Sequence, residues 1–315
     1  MTFERHDHDR GFDHEALLYA GIDEFVDRTA AFVTAGVEAA EPVMVMVGAA
    51  KIEHLRSALG DAARKVRFVD MEETGRNPAR IIPAWREFAD AHSAPGRALR
   101  GVGEPIWAGR GAAELVECQT HEALLNVAFA DAAGFRLLCP YDTTALGPDV
   151  IEEARRSHPV VSDGDVPWSS ASYEQPAVAG GLDKPLSEPP ADARELRFDV
   201  ETLDSVRAAV AAEAVAAGMD AGRAEDLALA VDELGANSVR YGGGLGTLRV
   251  WREAVAVVCE IRDAGRIDDP LTGRVRPGPH APGGRGLWLA NELCDLVQLR
   301  SFADGVAVRL HMRLA

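Results

Sequence analysis

The stretch AEDLALAVDELGANSVRYG, residues 224–242, decides the fold, and it reads as a single helix. Glu233 and Asn237 stand four residues apart on it, so they project from one face about one turn from each other. A carboxylate beside a carboxamide can orient a water or hydroxyl and offer an oxygen to Mg²⁺. For the pair alone, a solvated helix face that carries Glu and Asn by chance is the competing reading.

Two stretches further along the chain add to it. The apolar strand VAVVCEIRDAG (255–265) ends in Asp263, with Gly265 two residues on. A carboxylate at a strand end can accept from an exocyclic amine such as that of adenine, and a glycine beside it lets a flat ring approach the backbone. An Asp-x-Gly turn is the plainer alternative. In PGGRGLWLANEL (282–293), Gly283, Gly284 and Gly286 stand where a helix opens, and free N–H groups and the helix dipole there favour a phosphate.

The order and spacing of ELGAN, then DAG after a strand, then GGRGLWLANELCD opening a helix closely resembles the histidine-kinase-like (GHKL, Bergerat-fold) ATPases. Within them it is most similar to the anti-sigma factor serine kinase branch. The resemblance covers about residues 196–315 and implies an α+β sandwich that binds ATP with Mg²⁺. It makes Glu233 the general base, Asn237 the Mg²⁺ ligand and Asp263 the adenine reader with Gly265 beside it. Gly284 and Gly286 become the phosphate-contacting hinge of an ATP lid, with Arg285 between them to neutralise phosphate charge or to stand exposed. Two positions depart from the pattern. Arg240 stands where many relatives carry a histidine, and Val306 follows Gly305 where relatives often have a threonine near the adenine.

Outward from these motifs the domain continues the same way. Strand ELRFDV precedes two helices, and TLRVWRE, LVQLRSF and VAVRLHMRL supply late strands with short turns, as in an antiparallel or mixed sheet. Upstream, residues 158–195 hold six of the 17 prolines and seven acids against two bases, which reads as an extended linker. It separates a domain over 1–157 from one over 196–315.

The first domain alternates apolar runs with helical patterns, PVMVMVG, KVRFVDM, ALRGVGEPIW and FRLLCPYD being the strands of an open α/β sheet. GRNPARIIPAWREF (75–88), RGVGEPIWAGR (100–110), ECQTHEALLNVAF (117–129) and LLCPYD (137–142) together look like the MEDS sensory domain of bacterial regulators, a RecA-like module. An active RecA-like ATPase needs GxxxxGK[ST] after its strand, and GAAKIEHL (48–55) lacks it, so this domain is not expected to hydrolyse ATP. Its candidate ligand residues are His14, Glu104, His121 and Cys139. Glu104 matches the place of the RecA-type catalytic carboxylate and is read as a ligand or backbone contact. Cys118, His121 and Cys139 allow a metal or redox site, with buried small hydrophobes and a local histidine as the stronger alternative. The HDHD near the N-terminus reads as a disordered tail.

Composition bounds the function. The 315 residues carry a formal net charge of −17, a field that repels nucleic-acid backbones and anionic membranes. Four scattered cysteines, a charged N-terminus and no long apolar run fit a cytoplasmic protein. The expectation is an α/β chain with an N-terminal RecA-like parallel-sheet domain and a C-terminal Bergerat-fold sandwich. The resemblance implies an ATP-dependent serine/threonine kinase, controlled by a small-molecule signal. Its protein partners would be a sigma factor or a STAS-type anti-sigma antagonist, with a homodimer left open. A sensor histidine kinase and a non-catalytic, nucleotide-gated binding module are the alternatives.

Overall fold

The run Val43–Val47 has no polar side to turn to water, and all five residues are buried. The computed structural model describes residues 11–92, 94, 96–164, 166–174, 182–278 and 284–314. The chain divides into two compact units, Met1–Gly180 and Gly181–Ala315.

In the first unit the strands are β1 (Asp13–Tyr19), β2 (Val43–Val47), β3 (Val66–Asp70), β4 (Leu99–Gly103), β5 (Phe135–Asp142), β6 (Val160–Ser162) and β7 (Trp168–Ser169). They lie in the order β3-β2-β4-β5-β1-β6-β7, parallel throughout except for the β6–β7 pair. The connecting helices are α1 (Gly21–Glu38), α2 (Ala49–Leu59), α3 (Met71–Thr74), α4 (Ile81–His92), α5 (Ala112–Ala128) and α6 (Pro148–Ser157). Every residue of β2 and β4 is buried, so both faces of the sheet centre are covered, as parallel sheets require.

The expected linker over 158–195 needs correction. His158 is fully buried, Val160–Ser162 pair with β1, and Trp168–Ser169 pair with β6. Downstream, the Leu182 carbonyl accepts from the Ser301 N–H at 2.8 Å and the Lys184 carbonyl from Arg300 Nε at 2.8 Å. Residues 160–174 therefore belong to the first unit and 182–195 to the second. Average composition reads as coil, but a half-buried Val160 beside a buried Val161 suffices to extend a sheet that already offers an edge.

The second unit holds β8 (Arg194–Phe198), α7 (Leu203–Ala216), α8 (Ala221–Tyr241), β9 (Gly246–Arg252), β10 (Ala256–Asp263), α9 (Arg285–Leu293), β11 (Leu296–Phe302) and β12 (Gly305–Arg313). The sheet order is β11-β12-β10-β9-β8 and every pairing is antiparallel. Alternation along β10 separates two faces. Val257, Cys259 and Ile261 join Val210, Leu227, Val231 and Leu287 of the helices in one core. Glu260 takes the other face, where it accepts from Arg309 Nε at 2.9 Å and Arg262 Nε at 2.7 Å. Helix α8 starts at Asp220, whose carboxylate accepts from the Gly222 N–H at 2.9 Å and holds the first turn. Its 21 residues then carry Glu233 and Asn237 past the end of β10.

Candidate functional site

Strand β10 ends where α8 ends, and that coincidence builds the site. The Asp263 carboxylate accepts from Ser238 Oγ at 2.6 Å through one oxygen and from the Gly265 N–H at 2.7 Å through the other. Two fixed donors leave the side chain one orientation while each oxygen keeps a spare lone pair. It faces an open-sided cleft of about 700 Å³. Leu234, Ile261, Leu287, Val306 and Val308 give the cleft aliphatic walls, and Asn237 and Gly284 also line it. Val306 pairs directly with Asp263 across β10 and β12, so the wall beside the carboxylate is apolar where a threonine would have added a hydroxyl.

Glu233 and Asn237 meet the start of α9 rather than open solvent. A Cβ on Gly286 would lie 2.9 Å from Asn237 Nδ2, closer than real Cβ contacts come, and 3.0 Å from Glu233 Oε2, a tight contact. Glycine lets that helix start approach the pair closely without displacing either side chain. Gly284, the N-cap of α9, has a left-handed backbone (φ +85°) suited to glycine and lines the cleft. Arg285 is exposed at the first position of that helix. Glu233, Arg285 and Gly286 border the cleft without lining it. Residues 279–283, Gly283 among them, lie outside the described residues.

Sequence reasoning missed Ser238. It follows Asn237 directly on α8, lines the same cleft and reaches Asp263 at the end of β10. The adjacency of Asn and Ser before a strand-end aspartate was the available signal.

In the first unit the four candidates separate into different places. Glu104, at the end of β4, accepts from Tyr19 Oη at 2.8 Å and from Lys51 Nζ at 2.5 Å. Lys51 sits on the first turn of α2, where a phosphate-binding loop would place its lysine, and here it is spent on a carboxylate. Burial raises the Glu104 carboxyl above its usual range even with Lys51 beside it. His14 and Cys139 come together at 3.3 Å on adjacent strands, joined by Glu122 of α5 and by His158. Burial and the neighbouring His158 push His14 down to about 4, so it is neutral at physiological pH. His121 is buried on α5 but stands apart from these four. The Cys118 thiol donates to the Pro105 carbonyl at 3.3 Å, and burial pushes it up to about 12, as for an inert core thiol. The HDHD segment lies outside the described residues.

Among the described residues no helix is long and apolar enough to cross a membrane. No curated protein matches the chain. One solved structure that it resembles holds the RsbU and RsbW domains of Rv1364c from Mycobacterium tuberculosis, at 19% identity and a TM-score of 0.30. That likeness covers 40% of this chain and 32% of the other, so the chain spans about a third of that structure's length. Family comparison is more specific. Residues 13–159 match the family described as the methanogen/methylotroph, DcmR sensory domain (MEDS), and residues 196–312 the one described as the histidine kinase-like ATPase domain. The two matches coincide with the parallel-sheet unit and the antiparallel-sheet unit. The chain thus matches the MEDS sensory-domain family over residues 13–159 and the histidine kinase-like ATPase family over residues 196–312.

Proposed function

We propose that the C-terminal domain binds Mg·ATP in the cleft and transfers its γ-phosphoryl group to a serine or threonine of a partner protein, under control of the MEDS domain. The observation that carries this reading is the Asp263 carboxylate, fixed by Ser238 and Gly265 at the wall of an apolar cleft. The residues suit the ligand. Aliphatic walls accept a flat base, and Asp263 accepts from its exocyclic amine. Space that a Cβ at Gly286 would fill keeps Glu233 and Asn237 close to the start of α9.

Mg·ATP supplies the transferable group and the charge that must be neutralised. Asn237 offers its amide oxygen to the metal, and the N–H groups at the start of α9 offer donors to phosphate. Glu233 accepts the proton of the attacking hydroxyl, which its carboxylate can do without leaving the helix face it shares with Asn237. Phosphoryl transfer asks mainly for positioning and electrostatic stabilisation, which these groups supply. The resemblance to anti-sigma serine kinases favours as substrate a STAS-type antagonist, and as second partner a sigma factor held in one nucleotide state.

Val306 favours a second reading, a nucleotide-gated binder without turnover, because the wall beside Asp263 lacks a hydroxyl. The histidine-kinase alternative requires an accessible phospho-accepting histidine ahead of the ATPase domain, and His158 is fully buried. Incubating the full chain with γ-labelled ATP and a purified STAS-type protein separates the first two readings. Label on a serine or threonine of the partner supports the kinase; ATP binding with no label on any partner supports the gated binder.

A further inference from the structure

Four side chains from four separate elements meet inside the MEDS domain. His14 comes from β1, Glu122 from α5, Cys139 from β5, and His158 follows α6 at the approach to β6. All four are at most 1% exposed. His14 Nε2 lies 3.2 Å from Glu122 Oε2, His158 Nε2 3.4 Å from the same oxygen, and Cys139 Sγ 3.3 Å from His14 Nε2. One donor atom from each residue can be chosen so that all lie within 4.8 Å of one another.

The hydrogen bonds behind the cluster fix which ring nitrogens face it. Asn126 donates its Nδ2 to the Ser157 carbonyl at 2.8 Å, which turns its Oδ1 toward His14 Nδ1 at 3.1 Å. The Ala154 carbonyl, 2.8 Å from His158 Nδ1, can only accept. Both rings therefore carry their proton on Nδ1 and present the Nε2 lone pair to the cluster. Lone pairs on two imidazoles and a carboxylate then converge with the Cys139 thiol, whose proton is the one left among the four groups. Glu122 Oε1 and His158 Nε2 are buried without a hydrogen-bond partner, although buried polar atoms are almost always satisfied.

We propose that His14, Glu122, Cys139 and His158 form a four-coordinate site for a zinc-type divalent ion. Zinc bonds of about 2.0–2.3 Å in a tetrahedron set ligand atoms roughly 3.3–3.6 Å apart; three pairs here already stand at 3.2–3.4 Å, and the remaining pairs lie within 4.8 Å. Two imidazoles, one carboxylate and one thiolate are ligand types that zinc takes. One carboxylate and one thiolate cancel the double charge, so the loaded site is neutral inside the core. Asn126 and the Ala154 carbonyl are the outer partners that hold metal-binding histidines in one tautomer. Binding releases the Cys139 thiol proton to solvent and makes no other covalent change. Four protein ligands leave no open position, so the ion itself is what the site holds.

The test uses the full chain without a histidine tag, stripped of metal and titrated with Co²⁺ as a spectroscopic stand-in for zinc. One equivalent should produce a thiolate-to-cobalt charge-transfer band with the visible absorption of tetrahedral cobalt, and Zn²⁺ should displace it. Cys139→Ser should abolish the charge-transfer band, and His158→Gln should weaken binding by roughly 10²-fold or more. Cys118→Ser, at a buried thiol outside the cluster, should leave the band unchanged. X-ray absorption at the zinc edge of the wild-type chain needs no variant and should report one sulfur with two imidazoles. No charge-transfer band in the wild type, a band that survives Cys139→Ser, or a zinc edge without sulfur would each overturn the site.

Discussion

The cleft of the ATPase domain and the cluster of the MEDS domain both gather polar side chains among apolar neighbours, but water reaches only the first. Asp263, Asn237 and Gly265 are partly exposed, and both Asp263 oxygens already hold a hydrogen bond. His14, Glu122, Cys139 and His158 are sealed, with two donor atoms unbonded. An open site can stand ready because solvent completes its bonds. A sealed one bears the desolvation of every unmatched group, of the order of 1–3 kcal/mol each. The contrast separates ligand classes: the cleft has room for the nucleotide proposed for it, whereas the sealed cluster has use only for the small cation proposed there.

Sealing alone does not call for an ion. On the far face of the ATPase sheet, Glu260 is fully buried and Arg309 nearly so, yet they neutralise one another, and Arg309 Nη1 also reaches Ser187 Oγ at 3.0 Å. With Arg262 Nε also on Glu260 at 2.7 Å, each charged group there has a partner. The MEDS cluster, with its lone pairs convergent, leaves two donor atoms unbonded.

Four perturbations break or sharpen the comparison. The largest effect is expected at the open site, where Glu233→Ala should lower partner phosphorylation by roughly 10² to 10⁴ while calorimetric ATP affinity stays near wild type. Loss of both together would mean that Glu233 holds the cleft together rather than taking a proton. Next, Glu260→Ala leaves Arg309 as a buried unpaired cation and should cost about 3–5 kcal/mol in chemical denaturation of the ATPase unit. A cost under about 1 kcal/mol would show that water reaches this pair and that it is not sealed.

Zinc removal comes third. At a free ion concentration near 100 times Kd, binding adds about 2.7 kcal/mol, so chelation should lower the melting of the MEDS domain by roughly 5–10 °C and leave the ATPase transition in place. Equal shifts in both transitions would place the ion elsewhere. Smallest is Val306→Thr. It should raise ATP affinity about 2- to 10-fold through one added hydrogen bond and slightly lower the stability of the nucleotide-free chain, where the hydroxyl is desolvated. Unchanged affinity would show that the base does not reach that wall.

The motifs of the ATPase domain were legible because each sits in a few consecutive residues, and α8 carries Glu233 and Asn237 on one face by spacing alone. Strands such as Val43–Val47 and Phe135–Asp142 were equally plain, being apolar runs bounded by turn residues or Gly. The metal cluster was not legible. Its members at 14, 122, 139 and 158 share no local spacing, and only the pairing of β1 with β5 and with β6 brings three of them together. His14 and Cys139 stood out by residue type, but no motif singled out Glu122, and His158 read as linker. The linker misreading has the same origin. Val160 and Val161 are too few to register against a proline-rich average, yet an available sheet edge orders them.

The central claim is that Asp263 reads an adenine in the cleft, and nucleotide discrimination tests it most directly. Mg·ATP and Mg·ITP, which differ at the exocyclic amine, are titrated calorimetrically into the full chain and into Asp263→Asn. The wild type should prefer ATP by about tenfold or more, the value of a hydrogen bond to a charged acceptor, and the variant should lose that preference. Equal wild-type affinity for the two nucleotides, or a variant that still prefers ATP by the same factor, would contradict the assignment.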